Sequence, residues 1–288
     1  MLFRSRGDFV ASCRLGDSAT GQPDVFSYSK LLGPGRLAKL ASEEVGGVLG
    51  DVLADLAERA AVLAFAGDPL ENRAFAIAAA ERAWSHDQTD HRAGLVFADL
   101  LARVGDETGA VRVWQQIQTA HPNLLEPLIR IGETFLRLGV EQDDQRLLKM
   151  CDATSGLAVH RFPDSIESHL LRGRFLYAVQ HHGEARTELE IALERATETT
   201  VDAAQRRAVR YHLALVDLAS NEIEAARAAL LALNEEAQQQ DADVLRNLGL
   251  AQAQLGNREA ARAAFDAARE LAPEDPRLDA AERDADLS

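Results

Sequence analysis

Cysteine is nearly absent: Cys13 and Cys151 are the only two in 288 residues. Two isolated thiols build neither a disulfide framework nor a structural metal site, so packing must hold the fold. Aromatic residues make up 5% of the chain although 47% is hydrophobic, which leaves alanine and leucine as the main apolar material. Alanine has the highest helix propensity, and small side chains let helices approach closely. With few β-branched runs to favour strands, helix is expected throughout. Lysine occurs only at Lys30, Lys39 and Lys149. Positive charge as a whole is short, with a formal net charge of −15 and a pI near 5. That balance repels phosphate backbones and anionic lipid, so neither nucleic acid nor a membrane surface is expected as a partner. No apolar run approaches the roughly 20 residues that cross a bilayer. The first residues, Met1 to Ser18, carry arginines and aspartates where a secretory segment needs an apolar stretch. A cytoplasmic protein without membrane insertion is the expectation.

Catalytic constellations are missing too. His86 and His91 are five residues apart, a spacing that does not put both on one helical face, and no carboxylate or cysteine completes a metal set. His181 and His182 are adjacent at an expected inter-helix turn and point in different directions. Asp143 and Asp144 stand at a polar helix start, where they favour the helix dipole. Gly33-Pro34-Gly35-Arg36 lacks the Lys-Ser or Lys-Thr ending of a phosphate loop, and no strand precedes it. Neither a Gly-x-Ser-x-Gly elbow nor a cysteine in register with a histidine is present. The expectation is a chain that is not an enzyme, with no catalytic residues, metal or cofactor.

What the chain does have is repetition. From Ala242 to Asp275, Leu245, Leu248, Gly249 and Gln252 fall at helical spacing, followed by Leu255 and Gly256; a second helix carries Ala261, Phe265 and Ala268, and Pro273 follows its end. Gly249 and Ala261 are small where two helices of a hairpin must cross closely. Gly256 can take the left-handed conformation that ends a helix, and proline cannot continue one. Phe265 is expected to fill the gap between hairpins. This pattern resembles the tetratricopeptide repeat, a helix-turn-helix of about 34 residues.

The same register recurs upstream. It is held by Ala98, Leu101, Gly105, Ala110, Trp114, Ile117 and Pro122; by Leu128, Ile131, Gly132, Phe135, Gly139, Leu148 and Cys151; and by Gly173, Leu176, Ala185, Leu189 and Ala192. A weaker unit has Leu213, Val216, Ala225 and Ala232 without the first-helix glycine, and a degenerate one at 52–87 keeps Ala60, Leu63 and Gly67-Asp68. Cys151 is expected to pack as a small hydrophobe. The resemblance implies an all-α, right-handed superhelical solenoid of antiparallel helix hairpins, with about five to six repeats.

The ends differ from the middle. Asp275-Pro276 reads as an N-cap with proline in the first turn, opening a charged helix whose stripe is Leu278, Ala281 and Ala285. Three regions are expected: an irregular N-terminal arm at 1–42, repeats at 43–275, and a capping helix and tail at 276–288.

In the resembling family the stripe opposite the hairpin partner on each first helix lines a concave groove. Here the stripe assigns Arg92, Leu95, Asp99, Ala102 and Arg103; Glu126, Ile129, Glu133, Leu136 and Arg137; Glu167, Leu170, Arg174, Tyr177 and Ala178; Arg207, Arg210, Ala214, Asp217 and Leu218; and Asp243, Arg246, Leu250, Ala253 and Gln254. The binding set within it is Arg92, Arg103, Arg137, Leu170, Arg174, Tyr177, Arg207, Arg210, Arg246 and Leu250. Arginine beside leucine and tyrosine suits peptide recognition, with carboxylates on the partner segment. Alternatively, these arginines pair with neighbouring acids in water. Some family members clamp C-terminal carboxylates, but Arg207, Arg210, Arg246 and Asn247 do not fall at the matching positions. The implied function is an adaptor that binds a peptide segment of another protein in the groove. The alternative is a structural subunit that self-assembles as a homo-oligomer, or joins a larger complex, through its repeats and N-terminal arm.

Overall fold

The computed structural model describes residues 70–198, 203–238 and 240–285. The N-terminal arm and the degenerate unit's Ala60, Leu63 and Gly67-Asp68 lie outside these residues. Among the described residues the regular structure is all helix. The helices are α1 Leu70–His86, α2 His91–Arg103, α3 Glu107–Ala120, α4 Glu126–Glu141, α5 Gln145–Arg161 and α6 Ile166–Ala178. They continue as α7 His182–Glu198, α8 Ala203–Ala219, α9 Ile223–Glu236, α10 Ala242–Gln254, α11 Arg258–Leu271 and α12 Pro276–Asp284. The chain is an all-α helical-repeat solenoid. It divides into two compact units, one ending at Ile131 and the other beginning at Gly132.

Five hairpins share one turn. A residue with positive φ separates the helices each time: Gly105 at 88°, Asp143 at 50°, Gln180 at 65°, Asn221 at 63° and Gly256 at 77°. The next residue then donates its N–H five residues back, as Asp106 to Leu101, Asp144 to Gly139, His181 to Leu176, Glu222 to Asp217 and Asn257 to Gln252. This left-handed cap satisfies carbonyls that the first helix leaves open. Glycine holds the position only twice, so the turn is legible at Gly105 and Gly256 and disguised at the other three. The second helix then starts on a side-chain cap where an aspartate is available, as at Asp106 and Asp144.

In the first unit, Ala98, Ala110, Trp114 and Ile117 are buried, as their register requires. Gly94 is the point of closest approach: a Cβ there would stand 2.7 Å from both Trp84 of α1 and Ile117 of α3. The turn into α2 is tied down by His121, whose Nε2 lies 2.6 Å from the Thr89 carbonyl oxygen. His121 also meets the ring of His91 edge-on.

In the second unit, Gly173 faces Leu189 and Gly249 faces the Phe265 ring, each too close for a Cβ. Phe265 is buried among Leu245, Ala261, Ala268 and Leu278, and Cys151 is a fully buried free thiol. Burial pushes that thiol up to about 12, which leaves it inert. Asp275 caps α12 through the Arg277 N–H, with Leu278 and Ala281 buried. His181 is exposed, whereas the His182 ring lies beside Tyr177.

Two registers differ from the sequence reading. The small residue of α8 is Ala214 instead of Leu213, and α9 buries Ala226, Leu230 and Leu233 in place of Ala225 and Ala232. Ala214 and Asp217 therefore belong to the interior of the hairpin, not to the groove stripe. The α4 helix has 16 residues where α2, α6 and α10 have 13. Its extra turn moves the close approach to Gly139 against Leu148, while Gly132 accommodates Leu171 of α6, and Leu136 is buried.

Candidate interaction surface

Within the second unit the first helices of consecutive hairpins touch: α6 with α8, α8 with α10, and α10 with the cap α12. A row of polar contacts crosses these junctions near the helix starts. Glu167 on α6 accepts from the side-chain amide of Gln205 on α8. Arg207 on α8 donates to Asp241, the N-cap of α10, at 2.7 Å. The Asn247 amide donates to the Tyr211 hydroxyl at 2.8 Å. Arg246 bridges Asp243 on its own helix, at 2.6 Å, and Asp275, the N-cap of α12, at 3.3 Å. Arg277 closes the row on Asp243 at 3.1 Å and on Asp275 at 2.8 Å. Its hydrogen bond to Asp275 holds that carboxyl down at about 2.

The site residues named from the sequence fall into three groups. Arg174, Arg207 and Arg246 are half-buried on this face, and each is already bonded to an acid of the same chain; Arg174 meets Glu133 of α4 at 2.8 Å. Leu170, Tyr177 and Leu250 share the face as half-buried apolar side chains. Arg210 instead turns to Glu236 on α9 of its own hairpin. Arg137 is exposed and pairs along its helix with Glu141 at 3.2 Å. Arg92 and Arg103 are exposed on α2 in the first unit, where Asp99 meets Arg130 at 3.5 Å.

Correcting the α8 register by one residue brings Tyr211 and Leu215 to the face beside Leu218, in place of Arg210, Ala214 and Asp217. All three are half-buried. Beyond the polar row, at the far ends of the first helices, the strip is then apolar: Tyr177, Leu215, Leu218, Leu250 and Ala253. Leu215 and Gln205 escaped the sequence reading, whereas Leu218 was on its stripe. An available signal was the 35-residue offset that aligns Val209, Ala214, Ala226 and Leu230 with Val244, Gly249, Ala261 and Phe265.

Asp217 shows what the same correction does to a charge. It is buried and lies 2.7 Å from Arg186 of α7, which also reaches Glu222 at 3.3 Å. It is a strut between hairpins. His169 of α6 is a second internal strut. Its Nδ1 lies 2.6 Å from the Glu188 carboxylate, and its Nε2 2.8 Å from the Pro163 carbonyl. The Glu188 hydrogen bond raises its pKa above the ordinary histidine value.

No membrane-spanning helix is present among the described residues, nor is a cluster of three or more metal-capable side chains.

Residues 242–275 match the family profile of the tetratricopeptide repeat. Comparison with curated protein sequences gives no match. Among solved structures, a chain of the APC/C hetero-tetramer Cut9-Hcn1 superposes with a TM-score of 0.69 at 14% identity, over 82% of this chain. The present chain spans only 42% of the length of that one. PilW, a type IV pilus biogenesis factor, superposes with a TM-score of 0.61 at 18% identity, covering 81% of this chain and 97% of PilW. At these identities the likeness is one of fold. The profile match falls on α10–α11, the hairpin whose glycine, left-handed turn and buried phenylalanine follow the repeat pattern most fully, and the other hairpins repeat its turn. The hairpin at 242–275 carries the tetratricopeptide-repeat pattern, and in fold the chain is similar to solved helical-repeat solenoids.

Proposed function

We propose that this protein is a protein–protein interaction adaptor, holding a peptide segment of a partner on the first-helix face of its second unit. One observation carries the reading: successive first helices are fixed to one another by the polar row, and that rigid frame leaves an apolar strip partly open to solvent. Presenting half-buried leucines and a tyrosine on a pre-organised frame reduces the ordering cost of binding. Leu170, Arg174, Tyr177, Arg207, Arg246 and Leu250 contribute to this site in the second unit. Arg137 stands at its edge, Arg210 supports α8 from behind, and Arg92 and Arg103 offer a separate contact on α2.

The test is affinity capture with the native chain and with a Leu215→Glu/Leu250→Glu variant whose helicity is checked by circular dichroism. The expected result is a partner retained by the native chain and lost by the variant. Equal retention by both chains would move the binding surface elsewhere.

A second reading, a subunit that assembles through its repeats, draws on α5, where Met150 and Leu157 are 42% and 37% exposed two turns apart on one helical face. Light scattering at several concentrations separates the two. A constant monomer mass supports the adaptor, and growth with concentration supports assembly.

A further inference from the structure

Resting on the adaptor reading, we infer that the segment held on this face carries basic residues between its apolar anchors, and that Glu167 receives one of them.

The arginines of the face are not free to recognise an acidic segment. Arg246 is held between Asp243 and Asp275, with its own side chain 12% exposed and that of Asp275 10%. Arg207 is held by Asp241 and Arg174 by Glu133. A carboxylate arriving from a partner would have to displace a carboxylate that is already placed. Two of the displaced groups, Asp241 and Asp275, are N-caps whose departure would also uncover the starts of α10 and α12. Such an exchange gains little, because one charge-assisted bond replaces another.

Glu167 is the contrasting case. It stands in the first turn of α6, half-buried, one helical turn from Leu170. Its carboxylate accepts from the Ser165 hydroxyl at 2.7 Å and from the Gln205 amide. Both donors are neutral, and no cation stands beside the carboxylate among the described residues. A partly desolvated carboxylate with neutral neighbours is the group on this face that gains most from an incoming ammonium or guanidinium. The surroundings act in the same direction. The chain's formal charge of −15 attracts a basic segment at long range and repels an acidic one. The occupant is therefore a segment whose lysine or arginine reaches Glu167 while leucine- or phenylalanine-like side chains rest on Tyr177, Leu215, Leu218 and Leu250.

The experiment pans a random peptide library, displayed on phage, against the full chain at low salt. The enriched peptides are then synthesised and titrated against the native chain, Glu167→Gln and Leu250→Arg. Glutamine keeps the shape of Glu167 and can still accept from Ser165 and Gln205, so that variant folds normally, and its melting curve checks this. The expected result is enrichment of lysine and arginine interleaved with large apolar residues. Affinity should fall about fivefold or more in Glu167→Gln and should drop more steeply with added salt in the native chain than in that variant. Enrichment of aspartate and glutamate overturns the inference, as does unchanged affinity in Glu167→Gln. If Leu250→Arg still abolishes binding in either case, the adaptor reading stands without it. Failure to enrich any peptide, or indifference to Leu250→Arg, overturns both.

Discussion

The hairpins α8–α9 and α10–α11 solve one packing problem with different residues. The second follows the first at a constant offset, and several buried positions correspond. Val209 answers to Val244, Ala226 to Ala261, and Leu233 to Ala268, all of them buried. At the crossing of the two helices, α10–α11 sets Gly249 against the Phe265 ring, whereas α8–α9 sets Ala214 against Leu230 in the equivalent places. Large against nothing and medium against small fill the same gap. Two polar positions also differ. Gln252 bonds the Asn257 amide at 2.9 Å to steady its own turn, while the equivalent Asp217 reaches out to Arg186 of the preceding hairpin. Asn247 is satisfied by Tyr211 and by the Asp243 carbonyl, while the equivalent His212 has an Nδ1 without a hydrogen-bond partner. The difference teaches that the repeat conserves a volume and a turn, and leaves the polar residues free to choose their neighbours.

The largest expected effect tests the volume. Phe265→Ala should cost about 3–5 kcal/mol, because a fully buried ring leaves a cavity that rigid helices cannot close. Leu230→Ala should cost less, about 2–4 kcal/mol, since fewer atoms are removed from an equally buried site. Hydrogen exchange should place the loss of protection in α10–α12 for the first variant and in α8–α10 for the second. Equal, global loss in both would mean that the two hairpins unfold as one body and that the comparison has no local content.

The next effect concerns the unsatisfied position. Burial drives the His212 pKa down to about 3, with the Arg174 charge acting in the same sense. In the unfolded chain this imidazole binds its proton near 6.5. Between those values the unfolded state holds more protons, so stability falls as pH drops below 6.5 and continues to fall towards 3. At pH 5 the loss from this one group reaches at most about 2 kcal/mol. Replacing it with the residue that α10 uses, His212→Asn, should remove that acid sensitivity, as read from urea unfolding at pH 5 and pH 7. A variant as acid-sensitive as the native chain would assign the effect to other groups. His169 acts in the opposite direction: its raised pKa gives stability that is present below 6.5 and lost as pH rises through the folded value. Subtracting the His169→Gln profile separates the two.

The same pair of hairpins shows what was legible in the sequence. In α10–α11 the glycine, the Gly256 turn, the phenylalanine and the Asp275-Pro276 cap each admit one reading, and the structure agrees with all of them. In α8 the run Leu213-Ala214-Leu215 offers a small residue between two large ones, and Ala225-Ala226 offers two candidates for the second helix. An alanine-rich chain therefore loses the size contrast that marks register, and the assignment slipped by one. That slip carried Asp217 and Ala214 onto the groove and left Tyr211 and Leu215 off it. The long α4 was misread differently, because an inserted turn preserves helical periodicity while shifting everything after it. The arginines on α6 and α10 are half-buried, and their partners were invisible in the sequence. Asp241 and Asp275 lie outside the first helices as caps, and Gln205 sits in the additional N-terminal turn of α8. Ion pairing between hairpins depends on the rise from one repeat to the next, which spacing within a repeat does not encode.

The smallest expected effect is also the sharpest test of the comparison. Gly249→Ala would put a Cβ 2.7 Å from the Phe265 ring, so the ring or a helix must shift. Overpacking of that kind costs about 1–3 kcal/mol. It is offset in part by the roughly 0.5–1 kcal/mol gained on removing a glycine from a helix interior. A net loss of about 1 kcal/mol is expected. Phe265→Leu alone should also destabilise, since leucine leaves the space over Gly249 unfilled. Making both changes installs the Ala–Leu pair that α8–α9 already uses. The methyl group of the new alanine then occupies what the ring vacated, and the double variant should be more stable than the sum of the single losses by about 1 kcal/mol. Denaturant unfolding of the four chains measures that coupling directly. Additive losses would show that the two hairpins are not alternative fillings of one gap, and that the glycine of α10 serves something other than the approach of Phe265.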